Sequence, residues 1–415
     1  MTDRAGGHRD AGDELSRAFV AEWPRILASL IRFTGSVELA EDAAQEAFAR
    51  AVASRDRAVL INPGAWITTV AKRAAIDAVR RDAALRARLP LLVDEPSAPS
   101  LADQPADDDR LGLLFLACSP ELSAENRLAL ALRFVCGVPT EAIADALLVE
   151  HAAMSARLTR AKRQIERDGI RFATPDPEER AARLDDVLAT VYVLYTTGHA
   201  APVDSPLSRG RTAATATAIE LARALRRLMP EDREVAGLLA LLLLTQARAP
   251  SRFSAGGLVT LEEADRRLWD ERTIQEGLDL AVIALPGGGR FALQAGIAGL
   301  HAEAPSWMAT DWATIGALYD RLQAVWPSPA VALARIVARS YGEPGPAAAL
   351  VDLAALEPTL VGAVGRQAVA VRADLLRRVG RPAEARSLYE QASVGERHAP
   401  TRDFFGRRIA ELDGG

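Results

Sequence analysis

Cysteine and histidine are scarce in this sequence, and their scarcity argues against most metal and redox chemistry. The 415 residues include two cysteines, Cys118 and Cys136, and five scattered histidines. Neither cysteine belongs to a CxxC motif, so we expect two buried thiols rather than zinc ligands or a disulfide. No nucleophile, general base and orienting group form a recognisable set. We therefore expect a protein that is not an enzyme, with no catalytic site, bound metal or cofactor.

Long apolar runs are also missing. No apolar segment reaches the length of a membrane span, and the polar N-terminal stretch MTDRAGGHRDAGDE lacks the apolar core of a signal peptide. These two absences predict a cytoplasmic protein without membrane contact. The net charge of -5 is small and acidic, so any contact with nucleic acid has to rest on local basic patches.

Helical periodicity runs through most of the chain. Apolar residues make up 49% of the sequence, enough for several cores, and the length suits about three domains. We predict an all-α protein. Two stretches interrupt the periodicity near the N-terminus: residues 1–14, expected to be a disordered tail, and residues 89–109, which are rich in proline, serine and acid. The second stretch is predicted to be a flexible linker.

Two neighbouring helices before this linker carry opposite charge. The pattern over residues 37–54 leaves a largely acidic outer stripe, in which we include Glu41, and Ser36 is a plausible N-cap. A helix over residues 65–85 has few acids to balance its cations. These cations are Lys72, Arg73, Arg80 and Arg81.

Residues 140–167 are the segment around which we expect the chain to be organised. Two amphipathic patterns flank a few residues around Val149 and Glu150, a spacing that suits a helix-turn-helix unit. Apolar positions of the second pattern are Met154, Leu158, Ala161 and Ile165. Its outer side is basic, with Arg157, Arg160, Lys162, Arg163 and Arg167. Such a helix suits the major groove of DNA, although a charge run is often only a solvated face.

The motifs AEDAAQEAF and PGAWITTVAKRAAIDAVRR, followed by the 140–167 segment, resemble a known family in their order and spacing. They are similar to regions two and four of the extracytoplasmic-function sigma factors of bacterial RNA polymerase. The resemblance covers residues 15 to about 170. It implies a region-two helical bundle at 15–88 and a region-four helix-turn-helix domain at 110–172.

The resemblance also implies partners and contact residues. Core RNA polymerase would be bound at its clamp coiled coil and flap, the clamp through Asp42, Gln45, Glu46 and Arg50. Promoter DNA would be bound at two elements. For the minus-10 element the matching residues are Trp66, Lys72, Arg73, Ile76, Asp77, Arg80 and Arg81. For the minus-35 element they are Glu150, His151, Ala152, Ser155, Arg157, Arg160 and Arg163. Trp66 is either a stacking platform or a core residue, and we favour the core.

The chain continues well beyond these two regions. After a predicted hinge at PDPEER, we expect a helical extension domain over 178–286 and tetratricopeptide-like helical repeats over 290–415. The repeat prediction rests on Ala347, Val351 and Ala354 recurring 38 residues later as Ala385, Tyr389 and Ala392. Three consecutive glycines, Gly287 to Gly289, precede no nucleotide fingerprint and are predicted to form a loop.

This layout resembles a subgroup of the same sigma factors that carries a C-terminal tetratricopeptide-like extension, a helical solenoid. That resemblance implies a small YCII-like (DGPF-type) protein as a possible partner of the extension. We expect a promoter-specificity subunit whose C-terminal helices regulate it. The alternative is a stand-alone helix-turn-helix transcription regulator with a C-terminal sensor or protein-binding domain, which would not need the acidic stripe.

Overall fold

A computed structural model describes residues 22–54, 63–87, 106–147, 149–173, 175–199, 208–254, 257–394, 396 and 398–414. These residues are helical almost throughout, which confirms the all-α prediction. The sheet that they contain is a two-residue antiparallel pair, Phe253–Ser254 with Gly257–Leu258. By contacts the chain divides into two compact units, residues 1–225 and 226–415.

Two predictions fall outside the described residues. They concern the tail at 1–14 and the linker at 89–109 apart from its last residues.

The first unit begins with three helices that we call the N-terminal bundle. They are α1 over residues 22–34, α2 Val37–Ala53 and α3 Pro63–Ala87. Fully buried alanines face each other where α2 and α3 pack, and such small side chains let two helices approach closely. Gly35 turns the chain between α1 and α2 with φ of 69°, and the Ser36 hydroxyl accepts a hydrogen bond from the Leu39 amide at 3.2 Å. The predicted cap at Ser36 is therefore confirmed.

Four further helices form the second bundle of this unit. They are α4 Ala106–Ala117, α5 Ala124–Phe134, α6 Thr140–Ala146 and α7 His151–Arg167. The apolar stripe predicted for the last helix is confirmed, since Met154, Leu158, Ala161 and Ile165 are all buried. The cap position of α6 is Pro139, and Thr140 is its first helical residue.

Two long helices follow, α8 Pro177–His199 and α9 Ser208–Leu228. The predicted hinge at PDPEER is wrong, because Asp176 accepts hydrogen bonds from the Glu178 and Glu179 amides and the helix begins at Pro177. Helix α8 packs on α4 and α5 of the second bundle. Its Thr190 hydroxyl lies 3.3 Å from the buried Cys118 thiol. The extension therefore begins inside the first unit.

The second unit is a chain of antiparallel helices, each packed on its neighbours in sequence. In order they are α10 Arg233–Gln246, α11 Glu271–Ala284, α12 Arg290–Glu303, α13 Trp312–Val325, α14 Pro329–Tyr341, α15 Pro346–Leu356, α16 Gly362–Arg378, α17 Pro382–Ser393 and α18 Ala399–Asp413. Ten consecutive residues of α10 are buried, as its uniformly apolar sequence predicts. Trp269 is buried, and its indole N–H donates to the Ser251 hydroxyl at 2.7 Å.

The triple-glycine loop precedes α12, whose N-terminus already holds a carboxylate. Glu234 accepts hydrogen bonds from the Phe291 and Ala292 amides, both at 3.0 Å. A side chain at Gly289 would collide with Glu234, since an added Cβ would lie 2.3 Å from its carboxyl carbon. The glycines therefore leave room for the Glu234 carboxylate, which occupies the N-terminus of α12 where a phosphate would otherwise bind. This agrees with the predicted loop and not with a phosphate-binding site.

The predicted repeat register is wrong. Val351, matched above with Tyr389, is 70% exposed, whereas Tyr389 is 1% exposed. Helices α15 and α17 begin at residues 346 and 382, which gives an offset of 36. At that offset two buried residues of α15, Ala349 and Leu353, correspond to two buried residues of α17, Ala385 and Tyr389.

Candidate nucleic-acid interface

Helix α3 presents a cationic face to solvent. Arg73, Arg80 and Arg81 are exposed and Lys72 is half-buried, while Ile67, Ala71, Ala74 and Ala75 form the buried side. In the described part of the chain no carboxylate pairs with Arg73 or Arg80, and Arg81 donates to the Asp77 backbone carbonyl at 3.2 Å. These guanidinium groups are therefore free to meet phosphates, which is the commonest contact of DNA-binding proteins.

Two apolar side chains flank this cationic face. Ile76 is 37% exposed among the cations and next to the exposed Asp77. Trp66 is half-buried in the first turn of the helix, and its assignment to the core stays a prediction. The seven residues that the sequence assigned to minus-10 DNA all lie on this helix, and their role stays a prediction.

Helix α2 carries the predicted polymerase stripe on its exposed side. Asp42, Gln45, Glu46 and Arg50 are all exposed. Arg50 pairs with Glu46 at 2.5 Å along the helix, while Gln45 donates to Glu41 at 3.0 Å. A solvent-exposed pair of this kind adds little stability, which leaves these side chains available to a partner. Whether polymerase is that partner stays a prediction at the level of single residues.

A second cationic surface lies on α7, which begins at His151, five residues after the last residue of α6. Glu150, His151, Ala152 and Ser155 are exposed around its N-terminus. Arg160 and Arg163 are exposed farther along, and Arg157 is half-buried at the edge of the packed face. The helix pair has the spacing of a helix-turn-helix, and the exposed residues lie opposite the buried stripe. Their assignment to minus-35 DNA is untested.

The sequence did not reveal a side-chain contact across this turn. His151 Nε2 lies 2.9 Å from Asp145 Oδ1, and both side chains are about half exposed. The hydrogen bond to Asp145, together with that residue's charge, raises the pKa of His151 above its ordinary value. The contact ties the start of α7 to the end of α6 and favours a charged imidazole there.

Two residues predicted to be exposed in fact meet between the bundles: Glu41 is buried, and Lys162 is half-buried with 15% of its side chain exposed. Glu41, assigned to the acidic outer stripe, is 3% exposed, and Lys162, assigned to the basic side of α7, bonds to it at 2.9 Å. Arg133 of α5 completes the cluster at 2.5 Å from Glu41. A single-sequence pattern cannot reveal this cluster, because its members are far apart in the chain.

Other kinds of site were sought throughout the described ranges. No group of histidine, cysteine and acidic side chains there is arranged to hold a metal ion. No helix in those ranges is both long and apolar enough to cross a membrane. Cys118 and Cys136 are free and buried, as predicted, and burial raises the pKa of both thiols to about 12.

Comparison with known proteins finds a family match for the N-terminal bundle and a relative for most of the chain. Residues 19–84, which contain the described N-terminal bundle apart from its last turn, match the family described as Sigma-70 region 2. This stretch of the chain is a sigma-70 region 2, which supports a sigma-70 family sigma factor. Over 387 residues it is also 40% identical to an uncharacterized protein of Rhizobium meliloti (strain 1021), a match that covers 90% of each chain, so the two are members of one family. No solved structure matches the chain.

The part beyond the sigma-70 region 2 has a relative of its own. Residues 183–285 match a family of unknown function (DUF6596). In the structure this stretch begins in α8, against the second bundle, and ends directly after α11. The match therefore spans the division between the two compact units at residues 225 and 226.

Proposed function

We propose that this sigma-70 protein is an extracytoplasmic-function sigma factor that directs transcription initiation. In this proposal α2 docks on the clamp coiled coil of core RNA polymerase and α3 meets the minus-10 element. The α6–α7 pair meets the minus-35 element and the polymerase flap. One observation carries the proposal: a sigma-70 region 2 whose acidic α2 stripe and cationic α3 face are both exposed.

Charge complementarity supports the division of labour between the two helices. The exposed cations of α3 outnumber Asp77, the exposed acid among them, so this face attracts phosphates. On α2 the exposed acids Asp42 and Glu46 oppose only Arg50, and such a face would be repelled by DNA. The acidic helix is therefore better suited to a protein partner than to nucleic acid.

Association with core polymerase tests the docking role of α2. The full chain is expected to co-purify with core RNA polymerase, and Asp42→Arg is expected to weaken that association several-fold because it reverses one charge of the stripe. Glu178→Arg is the matched control, since Glu178 is exposed on α8, away from the stripe. Equal association of both variants would remove α2 from the interface, and no association of the wild type would favour a stand-alone regulator.

We further infer that the helices of the second unit regulate this activity. A tetratricopeptide-like solenoid, the form favoured by their antiparallel order, offers surfaces for a protein or peptide. A small YCII-like (DGPF-type) protein is a partner suggested by family resemblance alone. A chain that ends after Leu228 keeps α8 and α9 and removes the second unit. If the truncated chain and the full chain initiate transcription equally under all conditions, the proposed regulatory role of the second unit is refuted.

A further inference from the structure

A buried cluster of three charges joins the two bundles of the first unit. The Glu41 carboxylate of α2 accepts from Arg133 Nε of α5 at 2.5 Å and from Lys162 Nζ of α7 at 2.9 Å. The Glu41 side chain is 4% exposed, and those of Arg133 and Lys162 are 9% and 15% exposed. Burial by itself would raise the pKa of Glu41, but the two cations outweigh it and hold the pKa below its ordinary value. The carboxylate is thus charged at neutral pH and fully partnered.

Contacts on both sides of this cluster continue the same interface. Trp23 of α1 donates its indole hydrogen to the Arg133 carbonyl at 3.0 Å, and the Arg133 guanidinium lies 4.8 Å from the centre of the Trp23 ring. At one edge Ser36 bonds to Glu166 at 2.6 Å, and at the other Arg32 pairs with the buried Asp109 at 2.6 Å. Every one of these contacts joins the N-terminal bundle to the second bundle.

The chemistry of the interface suits reversible opening. Its centre is charged, and each of the three groups regains water when the bundles separate. Interfaces of this polar kind within one chain resemble transient contacts between proteins, in contrast to a purely apolar core. The ion cluster fixes one register of the two bundles, because a shifted register would leave a buried charge without its partner.

Contact between α2 and α7 limits the distance between the two proposed DNA-binding faces. Duplex DNA rises about 3.4 Å per base pair, so elements centred about 25 base pairs apart lie roughly 85 Å from each other. A compact unit of this length has a radius of gyration of about 17 Å. While the bundles are joined, α3 and α7 cannot reach both promoter elements together.

We propose that the Glu41, Arg133 and Lys162 cluster is a latch that holds the two bundles together in the free protein and is released when the protein engages polymerase and promoter. The requirement for release rests on the proposed function. The closed contact itself does not, because it is a property of the free chain. The exposed α2 stripe and α3 cations remain accessible in the closed form, so a partner can bind before the latch opens.

Chemical linking of the two bundles in the full-length chain tests the latch. Ser36→Cys and Glu166→Cys together provide two thiols at the edge of the interface, where the native side chains touch. The native thiols do not compete, because burial raises the pKa of Cys118 and Cys136 to about 12. A short bismaleimide is expected to link the two new cysteines within one chain, as mass spectrometry of the digested protein would reveal. Absence of that link would overturn the closed contact.

Substitution of the central carboxylate tests whether the cluster holds the contact. In the double-cysteine background, Glu41→Gln is expected to slow linking at least about tenfold, since it leaves two cations without a countercharge. Lys162→Gln, at the more accessible end of the cluster, is expected to slow linking less. Glu178→Gln is the control and is expected to change nothing. Unchanged linking in Glu41→Gln would refute the latch even if the closed contact exists.

Transcription by the linked protein tests the need for release. The unlinked double-cysteine chain is expected to initiate at a defined start with core polymerase, and the linked chain is expected to lose at least about nine-tenths of that activity. Equal activity of the linked and unlinked chains would refute the requirement for opening. If even the unlinked wild type fails to initiate, the proposed function fails, and the linking rates alone then decide whether the latch exists.

Discussion

Arg80 and Arg81 are consecutive exposed residues of α3, and their effect on DNA binding can be measured apart from that of the rest of the chain. Together, Arg80→Ala and Arg81→Ala are expected to weaken binding of the sigma-polymerase complex to promoter DNA. If both contact phosphates, the dependence of log affinity on log salt becomes shallower by about 2, because one counterion per lost contact is no longer released. Binding measured over a salt series checks this.

Arg272→Ala is the matched control for this pair. Arg272 is an exposed arginine of α11, in the second unit, and its removal takes the same kind of charge from the surface. The control variant should bind promoter DNA with the wild-type salt slope. An unchanged slope in the α3 variant as well would remove these arginines from the DNA interface.

Glu41 gives the first unit a defined pH dependence. A carboxyl whose pKa is lowered in the folded state stabilises the fold above its unfolded pKa, near 4.5, and this contribution is lost as pH falls through the lowered value. The charged groups that face it are Arg133 of α5 and Lys162 of α7.

Comparison of wild type with Glu41→Gln isolates this contribution. At pH 7 the variant is expected to be less stable to denaturant by up to about 3–5 kcal/mol, the usual cost of breaking a buried ion pair from one side. The difference should shrink as pH falls below the unfolded pKa and through the lowered folded pKa, since the wild-type carboxyl then becomes uncharged like the amide. A difference that is independent of pH would mean that shape, not charge, is what the substitution changes.

The sequence distinguishes poorly between Glu41 and its neighbour Asp42. Both are acids on the same helix, and one is buried only because Arg133 and Lys162 come to it from 92 and 121 residues away. Helical periodicity describes one helix at a time, so it reports which side is apolar and not which polar side chain meets a distant partner. The exposed stripe was therefore predictable from sequence and the buried cluster was not.

At the scale of helices, local signals predicted well wherever the deciding residues are adjacent in sequence. The apolar stripe of α7 and the cap Ser36 follow from spacing and side-chain chemistry over three or four residues. The PDPEER segment contains the same kind of signal, an Asp cap before Pro177 and two acids in the first turn. Its proline and charge suggested a hinge, although these features also favour the start of a helix.

Helix α8 is expected to be a structural part of the second bundle. A chain that ends at Pro175 lacks α8 and uncovers the surface of α4 and α5 around Cys118, whereas a chain that ends after Leu228 keeps it. The shorter chain should unfold at a lower temperature, and its Cys118 should react with a thiol reagent at least about tenfold faster. Equal protection of Cys118 in the two chains would show that α8 does not cover this surface.

At the scale of the whole molecule, the ends of the stretch that matches a family of unknown function do not coincide with the boundary between the two compact units. The stretch that matches DUF6596 starts on the second bundle and continues into the second unit. Composition indicated an added helical domain, but the packing of α8 on α4 depends on contacts between distant segments. The repeat offset of 36 became evident only from the helix boundaries and the burial pattern, since alanine and valine recur at many spacings in a helical chain.

Run-off transcription with purified core RNA polymerase tests the central claim most directly. The full chain should direct core polymerase to one defined start on a promoter taken from its own genome, and core polymerase alone should not use that start. Initiation should fall when the α3 arginines are removed and should be unchanged in Arg272→Ala. Failure of the full chain to produce any defined start, with a polymerase that responds to another sigma factor, would contradict the account.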